Sequence, residues 1–450
     1  MRQNNIALTL LTAAVLAACG GSSSTSGNQS LKTKFSAQVT FGDSLSDVGS
    51  YAVGTVKALG GGKFNINGDN TAINPALTGK NWTELMAAQL GLPAPCAALT
   101  GLDGSVAQGF SVAVTAHAGC TGYAEGGSRV TNPVGIGNKL TGSALGALTL
   151  PVATQIQNHL ALSGGTFKGD ELVLVMAGAN DVFLQLAGLS AAATAAGTTA
   201  FGNTLVGLLA AGATNPQSAA AAIGLALQTE SARSGHTDAS VVAAAVGAAA
   251  IQPGNSAVAS PAVYGPRVTQ AQAAGAKAGA DYAAATGPTL VTAMVGVANE
   301  LTALVKGQII GKGANYVVVN NLPDIGTTPF SQTIDANTLV LVNAMVKAFN
   351  DTLSANLATE AKVVYVDTYF ASHDQATNPA PYGLTNVTTR ACDFTPAKNA
   401  LASSLVCNAS NLIAGDVSHY AFADDVHPTP FVQLLLARYV SKYMVQKGWL

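Results

Sequence analysis

The sequence predicts an α/β fold in which helices cover a mainly parallel sheet. Short apolar runs rich in β-branched residues alternate with longer segments of helical periodicity. Each apolar run ends at glycine or polar residues, which is typical of buried parallel strands. The predicted strands are residues 37–41, 171–176, 316–319 and 363–366, and the predicted helices are residues 82–90, 151–162, 337–357 and 431–445.

The helix starts carry residues with known terminal preferences. Pro151 opens the second helix, and Thr429 followed by Pro430 opens the last, because proline suits the first turn and threonine can cap it. Residues 337–357 carry a long apolar stripe at helical spacing.

Two segments interrupt this alternation. Residues 64–79 form a polar loop rich in Gly and Asn, and residues of about 187–285 are dominated by Ala, Gly, Ser and Thr. The second segment is too weakly hydrophobic to build its own core. It predicts a helical insertion laid over the main domain.

The first residues predict export. Arg2 precedes an apolar run at 6–17, which is too short for a spanning helix and ends in Leu-Ala-Ala before Cys19. This resembles a bacterial lipobox, with a signal peptide at 1–18, a lipidated Cys19 and a Gly/Ser tether at 19–34. We expect an outer-membrane or cell-surface lipoprotein; an ordinary secretory signal is the alternative. Residues 35–450 then form the globular domain.

The remaining cysteines, an even number in a chain expected to be exported, predict disulfides. Four cysteines allow three pairings, and sequence-local pairing closes the shorter loops. We therefore expect Cys96–Cys120 and Cys392–Cys407. Metal binding is the rival interpretation, but no Cys-x-x-Cys motif or histidine cluster accompanies these cysteines, so we expect no metal.

The charge balance argues against nucleic-acid partners. The formal net charge is −2 and charged residues make up 10% of the chain, without a basic stripe or a polybasic patch. After Cys19 we expect no run long enough to cross a bilayer, so membrane contact would come through the lipid anchor alone. We expect a monomer.

Four segments at or after predicted strand ends carry candidate chemistry, because ligands bind at that edge of an open α/β sheet. Ser44, after the first strand and at the start of a predicted helix, exposes a hydroxyl and a backbone N–H; it could instead only cap the helix. Asn180 offers an amide donor, and Asp181 a helix cap. Gly126 lies in a segment that allows a close backbone approach, or simply a turn.

The fourth segment contains Asp424 and His427. A histidine three residues after an aspartate can turn its ring onto that carboxylate, which fixes the tautomer and leaves the other nitrogen as a base. A surface pair in a loop is the plainer interpretation.

These segments, in this order, resemble the sequence blocks of the GDSL/SGNH hydrolases: Phe-Gly-Asp-Ser-Leu-Ser-Asp at 41–47, Tyr-Ala-Glu-Gly-Gly-Ser at 123–128, Gly-Ala-Asn-Asp at 178–181 and Asp-Asp-Val-His-Pro at 424–428. Asn-Leu-Pro-Asp-Ile-Gly-Thr-Thr-Pro at 321–329 is similar to a segment of the larger members. The resemblance implies a flavodoxin-like three-layer sandwich at 35–450 and an esterase or lipase that needs no metal or cofactor.

The resemblance also implies a role for each matched residue. Ser44 would be the nucleophile, His427 the general base and Asp424 its orienting partner. The oxyanion hole would consist of the Ser44 and Gly126 N–H groups and the Asn180 side chain. Gly127 could compete with Gly126, and Asp425 with Asp424, whereas Asp43 and Asp47 would shape the loop around Ser44.

Two other functions fit the same residues less well. An acyltransferase would pass the acyl group from Ser44 to an alcohol instead of water. A non-catalytic surface lipoprotein could keep the fold, but it would have no reason to keep Ser44, Asn180 and His427 together. We expect the substrate to be a small-molecule or lipid ester with a lipid or short acyl chain, and polysaccharide acetyl groups are the alternative.

Overall fold

The computed structural model of the chain describes residues 32–68 and 77–450. Within these ranges the strands are β1 (Gln38–Gly42), β2 (Leu99–Asp103), β3 (Ser111–Ala116), β4 (Leu172–Met176), β5 (Tyr316–Asn320), β6 (Val363–Val366), β7 (Asn386–Arg390) and β8 (Tyr420–Phe422). The α-helices are α1 (Gly54–Ala58), α2 (Trp82–Gln89), α3 (Val152–Leu162), α4 (Ala179–Ala210), α5 (Pro216–Ala232), α6 (Asp238–Ala250), α7 (Pro261–Ala303), α8 (Ala336–Leu357), α9 (Thr368–Thr377) and α10 (Pro430–Lys447).

The central sheet is parallel and has the strand order β1-β4-β5-β6. All four strands predicted from the apolar runs lie in it, with ends that differ by no more than one residue. Thr40 of β1 also pairs with the segment around Gly122, where its N–H donates to the Thr121 carbonyl and its carbonyl accepts from Tyr123. The predicted mainly parallel central sheet is therefore confirmed.

Helices cover both faces of this sheet. Along β4, Val173 and Val175 pack into one hydrophobic cluster with α3, α7 and α8, while Leu172, Leu174 and Met176 pack into another with α2 and α10. Because alternate side chains of a strand point to opposite faces, a strand buried on both sides must be apolar throughout. This explains the continuous apolar runs in the sequence.

The helix starts are capped by local side chains. Asn81 and Glu84 form a capping box on α2, and Asp335 accepts two backbone N–H groups at the start of α8. Thr429 caps α10, with Pro430 in its first turn, as the sequence predicts.

The insertion, defined here as α4 to α7, has its own hydrophobic core. Leu205, Leu209, Ile223, Val246 and Val258 are buried there among alanines. The expectation that this segment is too weakly hydrophobic for a core is therefore wrong. Alanine and glycine let helices approach closely, so few large side chains are needed to exclude water between them.

Two helices of the insertion are longer and more apolar than the sequence analysis allowed. The first is α4 (Ala179–Ala210), and the second is α7 together with the helical turns that follow it (Pro261–Lys312). By length and composition, both are long and apolar enough to cross a membrane. The expectation that no such run follows Cys19 is wrong. Alanine supplies much of this hydropathy, and core helices of soluble proteins pass the same test, so the finding is not in itself a membrane assignment.

Both expected disulfides are present. Cys96 pairs with Cys120, with their Cα atoms 5.0 Å apart, and Cys392 pairs with Cys407 at 6.1 Å. Cys19, the signal segment and most of the tether lie outside the described residues, as do residues 69–76 of the predicted polar loop.

Candidate active site

Ser44 lies just beyond β1 in a tight hydrogen-bonded turn, closed by the Ser46 N–H donating to the Asp43 carbonyl. The expectation that it starts a helix is wrong, since the short helix α1 begins ten residues later, at Gly54. Ser44 therefore does not lie at the N-terminus of a helix formed by its own segment. Its backbone N–H has no acceptor among the described residues.

Gly42 allows β1 to end in this turn. Its φ is +153°, and a Cβ there would lie 2.2 Å from the Met176 carbonyl oxygen of the adjacent strand. The Gln155 side chain then holds the backbone of Gly42, donating to its carbonyl and accepting from its N–H, both at 2.8 Å. Only glycine fits this close approach, which places the following Ser44 at the edge of the sheet.

His427, between β8 and α10, brings the distant parts of the chain together. Its Nε2 lies 2.8 Å from the Ser44 Oγ, and its Nδ1 lies 2.6 Å from Asp424 Oδ2. Asp424 Oδ1 also accepts the N–H groups of Val426 and His427. Because Asp424 accepts from Nδ1, the proton belongs on Nδ1, and Nε2 is left to accept the Ser44 hydroxyl proton.

The competing carboxylate, Asp425, faces elsewhere. It pairs with Arg390 at 3.3 Å, and its side chain is 41% exposed, against 10% for Asp424. The structure therefore places Asp424, and not Asp425, on His427.

Burial and the ion pair between Asp424 and His427 determine the pKa values of these two side chains. Burial alone would lower the pKa of His427, but the attraction of Asp424 and its hydrogen bond outweigh it and raise that pKa above its usual value. Burial would likewise raise the pKa of Asp424, but His427 holds it down at about 2. The pair therefore stabilises the imidazolium that forms if His427 accepts a proton.

Asp43 differs from Asp424, although both are buried at this site. Burial raises the pKa of Asp43 to about 7, against the opposing effect of the Leu45 N–H that its carboxylate accepts. Its role in the turn is structural, as expected, because that hydrogen bond holds the backbone next to Ser44.

The Gly126 assignment requires a correction. Its backbone N–H donates to Asp47 Oδ2 at 2.9 Å, within a buried network in which Asp47 also accepts from Gly49 and Ser50. A donor already bound to a buried carboxylate is not available to an oxyanion. Within the described residues no acceptor binds the N–H of Gly127, which lines the cavity beside Ser44.

Asn180 lies in the first turn of α4 and lines the same cavity. One amide hydrogen of its Nδ2 donates to the Ser128 carbonyl at 2.9 Å, which orients the side chain and leaves the second hydrogen available. Asp181 was expected to cap this helix, but its side chain does not cap α4. Its carboxylate accepts instead from the Arg129 side chain and from the Val130 N–H.

Two further residues contact His427 and were missed by sequence reasoning. The Phe64 ring lies 5.0 Å, centroid to centroid, from the imidazole. The buried Ser404 Oγ lies 3.5 Å from Nδ1 and also helps to lower the Asp424 pKa. Neither carries a local signal, since Phe64 lies in a polar loop and Ser404 in a stretch without a recognisable motif.

The cavity at Ser44 is apolar apart from these groups and Thr328. It has a volume of about 330 Å³, and its polar lining includes Ser44, Gly127, Asn180 and His427. Its remaining walls are mainly hydrophobic: Leu45, Phe64, Ile136, Phe183, Pro323, Ile325, Phe330 and Val426. A few converging polar groups in an apolar cavity are typical of a small-molecule site.

Comparison with known proteins identifies a family that matches this chain. The family described as GDSL-like lipase/acylhydrolase matches residues 192–440, more than half of the chain. That span contains Asp424 and His427, whereas Ser44 and Asn180 precede it.

Three GDSL esterase/lipase proteins of Arabidopsis thaliana are similar to shorter parts of the chain. One is 29% identical over 137 residues, covering 28% of this chain and 37% of the relative. A second is 29% identical over 141 residues, with shares of 28% and 37%, and a third is 26% identical over 155 residues, with shares of 32% and 41%. The matches thus span well under half the length of these relatives.

The family implies a flavodoxin-like α/β fold, with which the parallel central sheet and its flanking helices are consistent. From the matched span, the chain belongs to the family of GDSL-like lipases and acylhydrolases.

Proposed function

We propose that the protein is a serine hydrolase of carboxylic esters that works through an acyl-enzyme on Ser44. One observation carries the proposal: His427 contacts the Ser44 hydroxyl through Nε2 and the Asp424 carboxylate through Nδ1. A nucleophile, a base and an orienting carboxylate in this chain of contacts are the parts that acyl transfer needs.

In the first step, His427 Nε2 takes the Ser44 hydroxyl proton while the Ser44 oxygen attacks the ester carbonyl carbon. The carbonyl oxygen becomes an oxyanion, for which we assign three donors: the Ser44 N–H, the Gly127 N–H and the Asn180 side chain. The tetrahedral intermediate then collapses. The bond to the alcohol oxygen breaks, and that oxygen takes the proton back from His427.

In the second step, water replaces the alcohol. His427 removes a proton from water, whose oxygen attacks the acyl carbon bound to Ser44. Collapse releases the carboxylic acid and returns the proton to Ser44. Throughout, Asp424 keeps its negative charge and stabilises the protonated imidazole.

The apolar cavity supports an ester with a hydrocarbon portion as substrate. Among the described residues, its walls offer no charged side chain except those of Asp43 and His427, so a charged group on the substrate would be desolvated without a partner there.

The test is turnover of p-nitrophenyl esters by the wild-type protein and by Ser44→Ala. We expect hydrolysis by the wild type and a loss of about 10⁴-fold or more in the variant. Equal rates would refute the proposal and favour a non-catalytic surface protein. Adding a short alcohol as acceptor distinguishes a hydrolase from an acyltransferase, which would form the new ester in preference to the acid.

We also propose that the protein is exported and anchored to a membrane by a lipid on Cys19. The apolar run at 6–17, the small residues before Cys19 and the Gly/Ser-rich residues after it support this. Labelled palmitate should be incorporated by the wild type and not by Cys19→Ala. Equal labelling of both would refute the anchor.

A further inference from the structure

A second, larger groove begins where the Ser44 cavity ends. Ile136, Phe183 and Phe330 line both of them, and the two phenylalanine rings meet edge to face at 5.3 Å between centroids. The groove has a volume of about 950 Å³ and runs along α4 and α7 of the insertion, past residues such as Ala187, Thr194 and Ala280. We call it the insertion groove.

The insertion groove is mainly apolar, and three of the four threonines that line it have locally bonded hydroxyls. The Thr194 hydroxyl donates to the Ser190 carbonyl, Thr333 to the Phe330 carbonyl and Thr338 to the Asp335 carboxylate. Their hydroxyls are thus satisfied locally. The Asp335 carboxylate is occupied by the first turn of α8.

The groove runs along the line where α4 and α7 are in close contact. A Cβ on Gly197 would lie 3.0 Å from the Gly275 carbonyl oxygen, and one on Gly279 would lie 3.1 Å from that of Ala193. The backbones of α4 and α7 therefore almost touch, and small side chains form a shallow floor. A narrow ligand of low polarity fits such a floor.

We propose that the insertion groove binds the distal part of a long acyl chain whose ester carbonyl lies at Ser44. This inference rests on the proposed function. It assigns long-chain acyl esters as the substrate class and gives the insertion the role of setting chain-length preference.

The acyl portion, and not the alcohol, is assigned to the groove because of the position of His427. The departing alkoxide must take its proton from Nε2, so the alcohol lies beside His427. Val426 and Pro428, on either side of His427, line a different apolar cavity of about 80 Å³. The groove instead leaves the site at Phe183, one helical turn beyond Asn180, and so suits the other portion of the ester.

The experiment fills the groove with a bulky side chain far from the reacting atoms. Thr194→Trp does this, and Thr199→Trp is a matched control. Both threonines are exposed on α4, and the hydroxyl of each donates a hydrogen bond to the backbone carbonyl four residues earlier. Thr199, however, does not line the groove. The substrates are p-nitrophenyl acetate, butanoate, dodecanoate and hexadecanoate.

For the wild type we expect kcat/KM to rise with acyl length, since each methylene moved from water onto an apolar surface adds a factor of about four at most. Thr194 lies fourteen residues, or about 21 Å, along α4 from Asn180, within reach of the longest chain only. Thr194→Trp should therefore lower kcat/KM for hexadecanoate by about tenfold or more and leave acetate unchanged. Thr199→Trp should match the wild type. Ala280→Trp, with exposed Ala284→Trp as its control, should repeat the pattern from the opposite helix.

Three results would overturn the inference: Thr194→Trp without effect on hexadecanoate, an equal loss for acetate, or the same loss in Thr199→Trp. A loss seen with long alkyl acetates, but not with long acyl chains, would assign the groove to the alcohol and refute the acyl assignment. If no ester is hydrolysed in a Ser44-dependent way, the proposed function itself fails. Turnover of acetate without a chain-length effect refutes the groove alone.

Discussion

The backbone N–H of Gly126 donates to the Asp47 carboxylate at 2.9 Å. This hydrogen bond joins the segment that follows Ser44 to the adjacent glycines Gly126 and Gly127. It occupies the Gly126 N–H, so that of the two glycines only Gly127 has a backbone N–H without an acceptor among the described residues. Gly126 is also tightly packed against the Phe64 ring.

A Cβ on Gly126 would lie 2.0 Å from a ring atom of Phe64. Gly126→Ala should therefore displace Phe64 from the His427 ring and lower kcat/KM by roughly tenfold, within the range of coupling between contacting residues. Phe64→Ala should cause a similar loss, and adding it to Gly126→Ala should lower kcat/KM little further, because the contact with His427 is already lost. Ester turnover by both single variants and the double variant tests this; losses that simply multiply in the double variant would contradict it.

Asn180→Ala should lower kcat by about 10²- to 10³-fold with little change in KM. The reason is that an oxyanion donor acts mainly when negative charge has developed. Steady-state kinetics and a thermal melt of the variant are the measurements. A rise in KM with unchanged kcat would show that Asn180 binds the substrate and does not stabilise the oxyanion.

Asp424→Asn should lower kcat by about 10⁴-fold, because an amide can hold the imidazole in the wrong tautomer and does not stabilise its charge. Asp425→Asn is the matched control. It removes a half-exposed partner of Arg390 and should leave kcat close to the wild-type value. Similar losses in the two variants would be inconsistent with the assignment.

The rate should fall as the pH drops through the pKa of His427, because the protonated ring cannot accept the Ser44 proton. Asp424 raises that pKa, so the midpoint of kcat/KM should lie above the ordinary histidine value of about 6.5. In Asp424→Asn the midpoint should move to lower pH. A pH–rate profile of each protein measures this, and a midpoint that does not move would argue against the ion pair as its cause.

The Cys392–Cys407 disulfide should support both stability and turnover. It closes a loop with a separation of 15 residues, which in the chain-entropy account raises the free energy of unfolding by about 3 kcal/mol. The same loop contains Ser404, whose hydroxyl contacts His427. Replacing both cysteines by alanine should therefore lower the melting temperature and kcat. Replacing Cys96 and Cys120 should lower the melting temperature but have a smaller effect on kcat. Equal effects on kcat would contradict the link through Ser404.

Local sequence predicted those parts of the molecule that depend on local chemistry. The strands followed from β-branched runs, because strands buried on both faces must be apolar throughout. The contact between His427 and Asp424 followed from their spacing of three residues. The core of the insertion was missed because its stability comes from the close approach of small residues on different helices, which no single helix reveals.

The errors at the site have a similar origin. Whether Gly126 or Gly127 keeps a free N–H depends on where the Asp47 carboxylate lies, almost eighty residues earlier in the chain. Asp181 was expected to cap a helix, but its carboxylate accepts hydrogen bonds from Arg129 and Val130, which lie in another loop. Phe64 and Ser404 contact His427 only because the folded chain brings them there.

Ser44 and His427 are separated by 383 positions in the chain, yet their side chains are in hydrogen-bonding contact. Ribosomes add residues in order, so a growing polypeptide contains the hydroxyl long before the imidazole that would activate it. Nascent chains should accordingly be inert toward esters until His427 has been added and has folded against Ser44. A product truncated anywhere before residue 427 should lack activity however well its first strands fold.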